Sequence, residues 1–191
     1  MIPPGFFKQV LAGIDFGSVS PTALVACGLD GGGRVWAFKE FYQREVGIDQ
    51  LVAAMAVAKT EWGVTRFVAD PSGKHEIAKL RNAGFQITPA RHGNKFKLRY
   101  SLVGARLNVD ASNKLPGMYI TPECPNLIRE LETLSFRRQR LGGQFDEDVK
   151  DDWARGQDDH AWDSLCNVLA EIDAVLPPPR RQKKPILFWD R

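Results

Sequence analysis

The stretch Gln9–Tyr42, QVLAGIDFGSVSPTALVACGLDGGGRVWAFKEFY, decides the fold. It holds three runs rich in β-branched, aromatic and other apolar residues: Gln9–Phe16, Thr22–Gly28 and Arg34–Tyr42. Ser18–Pro21 and Asp30-Gly31-Gly32-Gly33 separate them. Runs of this length bounded by Gly, Pro, Ser and Asp read as strands, and the Asp-Gly-Gly-Gly segment reads as a hairpin turn. The chain therefore opens with a three-stranded antiparallel meander, and Asp15 lies on its first strand.

Past Tyr42 the pattern changes. Gly47-Ile48-Asp49 starts a helix along which Leu51, Met55, Ala58 and Trp62 recur at helical spacing, and Gly63 ends it. Thr65–Ala69 is a short buried strand followed by Asp70-Pro71-Ser72-Gly73. Lys74–Ala83 is a second helix closed by Gly84, and Phe85–Pro89 a further strand. Strand–helix–strand units imply parallel pairing with crossover helices. Asn94–Leu107 is helical, with Phe96, Tyr100, Val103 and Leu107 as its expected apolar stripe. Met118–Thr121 reads as a strand and Pro125–Leu134 as a helix with Pro in its first turn. Ser135–Asp151 is a charged loop or hairpin, with strand signals near 135–138 and 144–146. The last helix runs from about Asp158 to Leu176, buries Leu165, Val168, Leu169, Ile172 and Leu176, and is stopped by Pro177-Pro178-Pro179. The expected organisation is one domain over 1–176 and a basic, Pro-rich tail over 177–191. That tail reads as a flexible arm or a docking peptide.

The composition is that of an ordinary globular protein. Of 191 residues, 43% are hydrophobic and the net charge is only +3, so overall charge does not demand a polyanionic partner. The distribution is more informative. Basic residues gather in Arg91–Arg106, Arg129–Arg140 and Arg180–Lys184, and acidic ones in Asp146–Asp163. An acidic spot within basic surroundings suits an enzyme acting on nucleic acid. The three cysteines, Cys27, Cys124 and Cys166, form no CxxC pair. Neither a zinc site nor a disulfide framework is implied, and Cys166 reads as core. No apolar run approaches the ~20 residues that span a bilayer, and no signal peptide is visible.

The chemistry concentrates in Asp158-Asp159-His160-Ala161-Trp162-Asp163-Ser164-Leu165, at the head of the last helix. Asp159 and Asp163 are four apart and His160 and Asp163 three apart, so each pair shares a helix face. No neighbouring basic residue neutralises that face, since the nearest, Arg155, precedes it. An acidic cap accounts for part of the cluster. A hard-cation site accounts for it better once Asp15 and Asp70 are brought in. A meander followed by alternating helices and strands places Asp15 on a central strand, and Asp70 ends the strand that pairs with it. The last helix delivers Asp159, His160 and Asp163 to the same rim. Ionised carboxylates share a small site only when cations neutralise them. Two Mg²⁺ or Mn²⁺ ions roughly 3.5–4 Å apart do so and clamp both oxygens of a phosphodiester undergoing displacement. His160 can orient a ligand, bind a cation or carry a proton.

Gly13-Ile14-Asp15-Phe16-Gly17, Val68-Ala69-Asp70-Pro71-Ser72 and Asp159-His160-Ala161-Trp162-Asp163-Ser164-Leu165 together resemble the C-terminal nuclease domain of phage large terminase subunits. The resemblance spans about Leu11–Leu176. It implies an RNase H-like (RuvC-like, retroviral-integrase-like) mixed α/β sheet flanked by helices. The implied activity is endonucleolytic cleavage of concatemeric viral DNA during packaging, by two-metal phosphodiester hydrolysis with Mg²⁺ or Mn²⁺. Carried over, Asp15 and Asp70 match the first two metal ligands, and the third comes from Asp163, favoured, or from Asp159 or His160. Arg137–Asp151 resembles a hairpin flanking the cleft. The low-specificity DNA contacts expected are His92, Lys95, Lys97, Arg99, Arg137, Arg138 and Arg140. The implied partners are double-stranded DNA and, in the whole motor, an ATPase domain, a small terminase and a portal protein, all in the host cytoplasm. No G-x-x-x-x-G-K-[ST] motif occurs here. The resemblance therefore covers the nuclease part alone, expected as a monomer. Three rivals stand beside it. One is a junction resolvase or transposase-like nuclease of the same fold. Another is a sugar-kinase or actin-like fragment, for which Ser18-Val19-Ser20-Pro21 is a poor phosphate loop. The third is a non-catalytic module that binds DNA or a portal, for which Pro185–Trp189 offers a docking motif.

Overall fold

A computed structural model describes residues 2–3, 5–17, 19–91, 96–110, 113–135, 139–141, 144–146 and 156–174. Three long strands come first: β1 (Phe7–Asp15), β2 (Thr22–Asp30) and β3 (Val35–Gln43). Then follow α1 (Ile48–Thr60), β4 (Arg66–Ala69), α2 (Lys74–Asn82), β5 (Ile87–Pro89) and α3 (Phe96–Leu107). The described chain closes with β6 (Met118–Ile120), α4 (Pro125–Thr133), β7 (Gln139–Leu141), β8 (Gln144–Asp146) and α5 (His160–Asp173).

The six-stranded sheet has the order β5-β4-β1-β2-β3-β6. β1, β2 and β3 form the expected antiparallel meander, while β4 pairs parallel with β1, β5 with β4 and β6 with β3. This is the mixed sheet of the RNase H-like fold. The run of buried residues through β2 reflects its central place. Ala23, Val25 and Cys27 face one side and Leu24 and Ala26 the other, and both sides are covered. α1 and α2 cover one side through Leu51, Met55, Ala58, Ile77 and Leu80. On the other lie α3, α4 and α5, through Val103, Leu127, Trp162, Leu165, Val168 and Leu169.

α5 lies directly on the strands. A Cβ placed on Gly13 would overlap the Ser164 carbonyl group, so only glycine allows this approach. Two buried side chains tie helix to sheet: the Val25 N–H donates to Ser164 Oγ at 3.0 Å, and Asn167 Nδ2 donates to the Ile14 carbonyl at 2.9 Å. Gly13 and Ser164, quoted above as motif residues, are thus a packing pair.

One expectation changes. The apolar stripe expected on α3 is not its buried face, since Tyr100 and Leu107 are exposed at 45% and 46% while Val103 is buried. The buried face is Arg99, Val103 and Arg106, because acidic residues of α5 receive both guanidinium groups. In the charged region, β8 falls at the expected 144–146 and pairs with β7 at 139–141, while 136–138 of the other expected strand lie outside the described residues. Leu176 and the tail 177–191 lie outside the described residues.

Gly13→Ala should lower the urea midpoint by the equivalent of about 2–3 kcal/mol, because overpacking here meets backbone atoms. Gly104→Ala is the matched control. Gly104 lies within α3 with nothing close to its Cβ position. That variant should gain roughly 0.5–1 kcal/mol.

Candidate active site

The site lies at one rim of the sheet. β1, β3 and β4 run in the same direction, so Asp15, Gln43 and Ala69 all stand at carboxyl ends of strands. Ile14 pairs with Ala69, which sets Asp15 beside Asp70, the residue that follows β4. Both carboxylates line a cleft of about 500 Å³, together with Phe16, Thr22, Ile48, Glu76 and Lys79. Each is anchored locally. The Ser72 N–H donates to Asp70 Oδ1 at 2.7 Å in a turn typical of Asp. Behind Asp15, the Gly17 N–H donates to Thr22 Oγ1 and the Thr22 hydroxyl donates back to the Gly17 carbonyl, which pins the chain leaving β1.

The N-terminus of α5 supplies the other side. His160 Nδ1 lies 2.9 Å from Asp15 Oδ2. That hydrogen bond raises the imidazole above its ordinary pKa despite partial burial. Asp159, the N-cap residue, is pushed up by burial and by the nearby Asp15 carboxylate. Its side chain makes no cap hydrogen bond. Glu130 of α4 performs that task instead: its Oε2 accepts from the Trp162 N–H at 2.8 Å, and its Oε1 from the Tyr42 hydroxyl at 2.9 Å. Glu130 is 1% exposed, and burial raises its carboxyl pKa.

Asp163 has a charged partner of its own. Its carboxylate meets the Arg99 guanidinium, which also lies over the Trp162 ring at 4.8 Å. The acidic helix face, expected to lack a counter-charge, has one supplied from α3. Arg99 is accordingly 9% exposed and packed inward, rather than standing on an outward basic face as expected of a DNA contact. Of the other expected DNA contacts, His92, Lys95, Arg137 and Arg138 lie outside the described residues, as do the side chains of Lys97 and Arg140. Among the described residues, no three His, Cys, Asp or Glu side chains converge closely enough to cage a metal ion. Nor is any described helix long and apolar enough to cross a membrane. Cys166 is buried core, with its thiol pushed up to about 12 by desolvation.

Glu130 was not singled out from the sequence, and Arg99 only as a DNA contact, though a signal for burial existed for each. Glu130 falls three residues after Leu127, on the buried side of an amphipathic helix. Arg99 and Arg106 flank Val103 on one helical face. A charge set in an apolar stripe marks a buried partner.

No family model matches the sequence, and no curated sequence matches it. Solved structures do match by fold. The large terminase of a thermophilic bacteriophage superposes with a TM-score of 0.69 at 19% identity, covering 92% of this chain and 41% of the other. The P22 large terminase nuclease domain gives 0.61 at 13% identity, over 92% and 86%. The g2p large terminase nuclease domain of bacteriophage SPP1, solved with bound Mn, gives 0.59 at 22% identity, over 86% and 87%. The chain thus spans about two fifths of the first, thermophilic-phage protein and most of each separate nuclease domain.

The Arg99–Asp163 pair should behave as a buried one, with side chains 11% and 19% exposed. Arg99→Met strands a carboxylate and should cost about 3–5 kcal/mol, read as a drop in urea midpoint. Arg99→Met/Asp163→Leu should recover most of it. A double variant no more stable than Arg99→Met would show that packing of the arginine, not its charge, is what counts.

Proposed function

We propose that this chain is a divalent-cation-dependent DNA endonuclease that cuts concatemeric double-stranded viral DNA during genome packaging. The observation that carries the reading is the convergence of Asp15, Asp70 and the His160 end of α5 on one open rim. The shared fold with phage terminase nucleases supports it, and the Mn bound by the SPP1 domain supports a divalent cation.

The donor set fits a hard cation. Asp15 and Asp70 offer carboxylate oxygens to the cleft, and among the described residues no cysteine or methionine lines it. Mg²⁺ characteristically takes one or two carboxylates and completes its shell with water and substrate phosphate, so a three-residue cage is not required. Asp15 and Asp70 would hold the ion, with Asp159 and His160 as the further candidates. Asp163 is the weaker one, because Arg99 already neutralises it. When bound, a pair of such ions polarises the scissile phosphate and lowers the pKa of the attacking water. His160 fixes the orientation of the Asp15 carboxylate through Nδ1. The Ser72 N–H fixes the Asp70 carboxylate through Oδ1, and that carboxylate would hold the cation. Glu130 caps α5, so the Asp159 carboxylate is not used as the cap.

In the whole motor this activity belongs with an ATPase domain, a small terminase and a portal protein in the host cytoplasm. Two ions rather than one, and Mn²⁺ or Mg²⁺ in the cell, are part of the same proposal.

Supercoiled plasmid incubated with Mn²⁺ should be nicked and linearised, and EDTA should stop it. Asp15→Asn and Asp70→Asn should each abolish cleavage while keeping the wild-type circular dichroism and urea midpoint. His160→Ala should slow cleavage by roughly 10–100-fold, as loss of a ligand-orienting partner does. Full activity in either aspartate variant would defeat the assignment. A strong preference for four-way junctions over linear duplex would move the reading to a resolvase of the same fold.

A further inference from the structure

We infer that Arg44 and Arg129 form a phosphate-binding pair that seats the DNA strand alongside the scissile bond, with Asp158 standing in for the phosphate in the DNA-free chain. The inference rests on the nuclease reading above. Its geometry begins with strand register. Asp15 pairs with Ala23, and Ala23 with Tyr42, so the three form one row across the sheet. Adjacent strands lie about 4.7–4.9 Å apart, which sets Tyr42 ~10 Å from Asp15 along the rim. Arg44 follows two residues later, just beyond the end of β3.

Arg129 reaches the same place from α4. Its guanidinium lies over the Tyr42 ring at 5.6 Å, and Nη2 donates to the Tyr42 hydroxyl at 3.4 Å. The Tyr42 ring in turn lies 6.4 Å from that of His160. Both arginines converge on one carboxylate: Arg44 Nη2 is 3.2 Å from Asp158 Oδ1, and Arg129 Nη2 is 3.8 Å from Asp158 Oδ2. Both are open to solvent, at 60% and 50% exposure, and Asp158 at 39%. Exposed ion pairs of this kind are weak and exchange readily. Two guanidinium forks aimed at a single oxyanion are the arrangement that receives a phosphate. On B-form DNA each strand presents a phosphate every ~3.4 Å of helix axis. A span of ~10 Å along the rim is therefore long enough to hold a neighbouring phosphate of the same strand. A strand with its scissile phosphate at Asp15 and Asp70 would run past Tyr42 and lay a neighbouring phosphate on the arginines. The contact goes to backbone alone, so it carries register and not sequence.

The test is binding of a short fluorescein-labelled duplex to the full chain in EDTA, by anisotropy across a KCl series. Arg44→Gln/Arg129→Gln should weaken binding at least tenfold at low salt. It should also reduce the slope of log K against log [KCl] by about one, as expected for the loss of one shared phosphate contact. Asp158→Asn, which removes the competing carboxylate, should tighten binding several-fold. Lys59→Gln, in the last turn of α1, should change neither quantity. An unchanged slope in the double variant, or no duplex binding by the wild type, would overturn the inference. Cleavage is scored separately. A chain that cuts plasmid but keeps its slope without the arginines loses this inference and keeps the nuclease. Arginine-dependent binding without cleavage does the reverse.

Discussion

The structure depends on one close approach, that of α5 to the centre of the sheet. The Ser164 carbonyl occupies the space that any side chain on Gly13 would fill. Asn167 and Ser164 then take up backbone groups of β1 and β2. A helix seated this deeply is buried over nearly its whole length, from Ala161 to Ile172. Its N-terminus is consequently fixed against the carboxyl end of β1, and His160 reaches Asp15 without help from a loop. Sites built on packed elements hold their geometry better than sites on loops. Here the two halves of the site are joined by that one contact.

Burying such a helix creates an electrostatic problem, because α5 carries Asp163, Glu171 and Asp173 and no basic residue other than His160 at its first position. Each acid finds a guanidinium from elsewhere: Arg99 for Asp163, Arg66 and Arg91 for Glu171, and Arg106 for Asp173. Arginine suits this task, since its charge persists at any working pH and its fork matches a carboxylate. These pairs position α5 more than they stabilise it, because desolvation offsets most of the attraction. They also divide the acids of α5 into two sets. Asp163, Glu171 and Asp173 are neutralised inside the fold, while Asp159 stays near Asp15 at the rim.

The architecture was legible because its signals are local and agree with one another. The Gly and Pro punctuation around Thr22–Gly28, the Asp-Gly-Gly-Gly turn and the Leu51-Met55-Ala58 spacing each depend on neighbouring residues alone. The convergence of Asp15 and Asp70 followed from topology, which the strand order determines. What misled was anything decided by partners distant in sequence. Phe96, Tyr100, Val103 and Leu107 make a better apolar stripe than Arg99, Val103 and Arg106, yet the second set is inside. The difference comes from acids of α5, far along the chain from α3. The same distance hid Glu130, whose partners are Tyr42 and Trp162. Pattern reading ranks a face by its hydrophobicity. A buried ion pair reverses that ranking, and the acids responsible lie far in sequence from the helix that answers them.

Glu130 also explains why the N-cap of α5 can belong to the site. An Asp at this position ordinarily turns its carboxylate back onto the first-turn amides, where it is held and partly neutralised. Asp159 makes no such bond, and the amide it would cap is taken by Glu130 from α4. Division of the two tasks between two residues lets the cap be buried and permanent while the rim carboxylate stays near Asp15. Tyr42 ties the same glutamate to β3, so the cap, the His160 ring and the exposed Arg129 share one support.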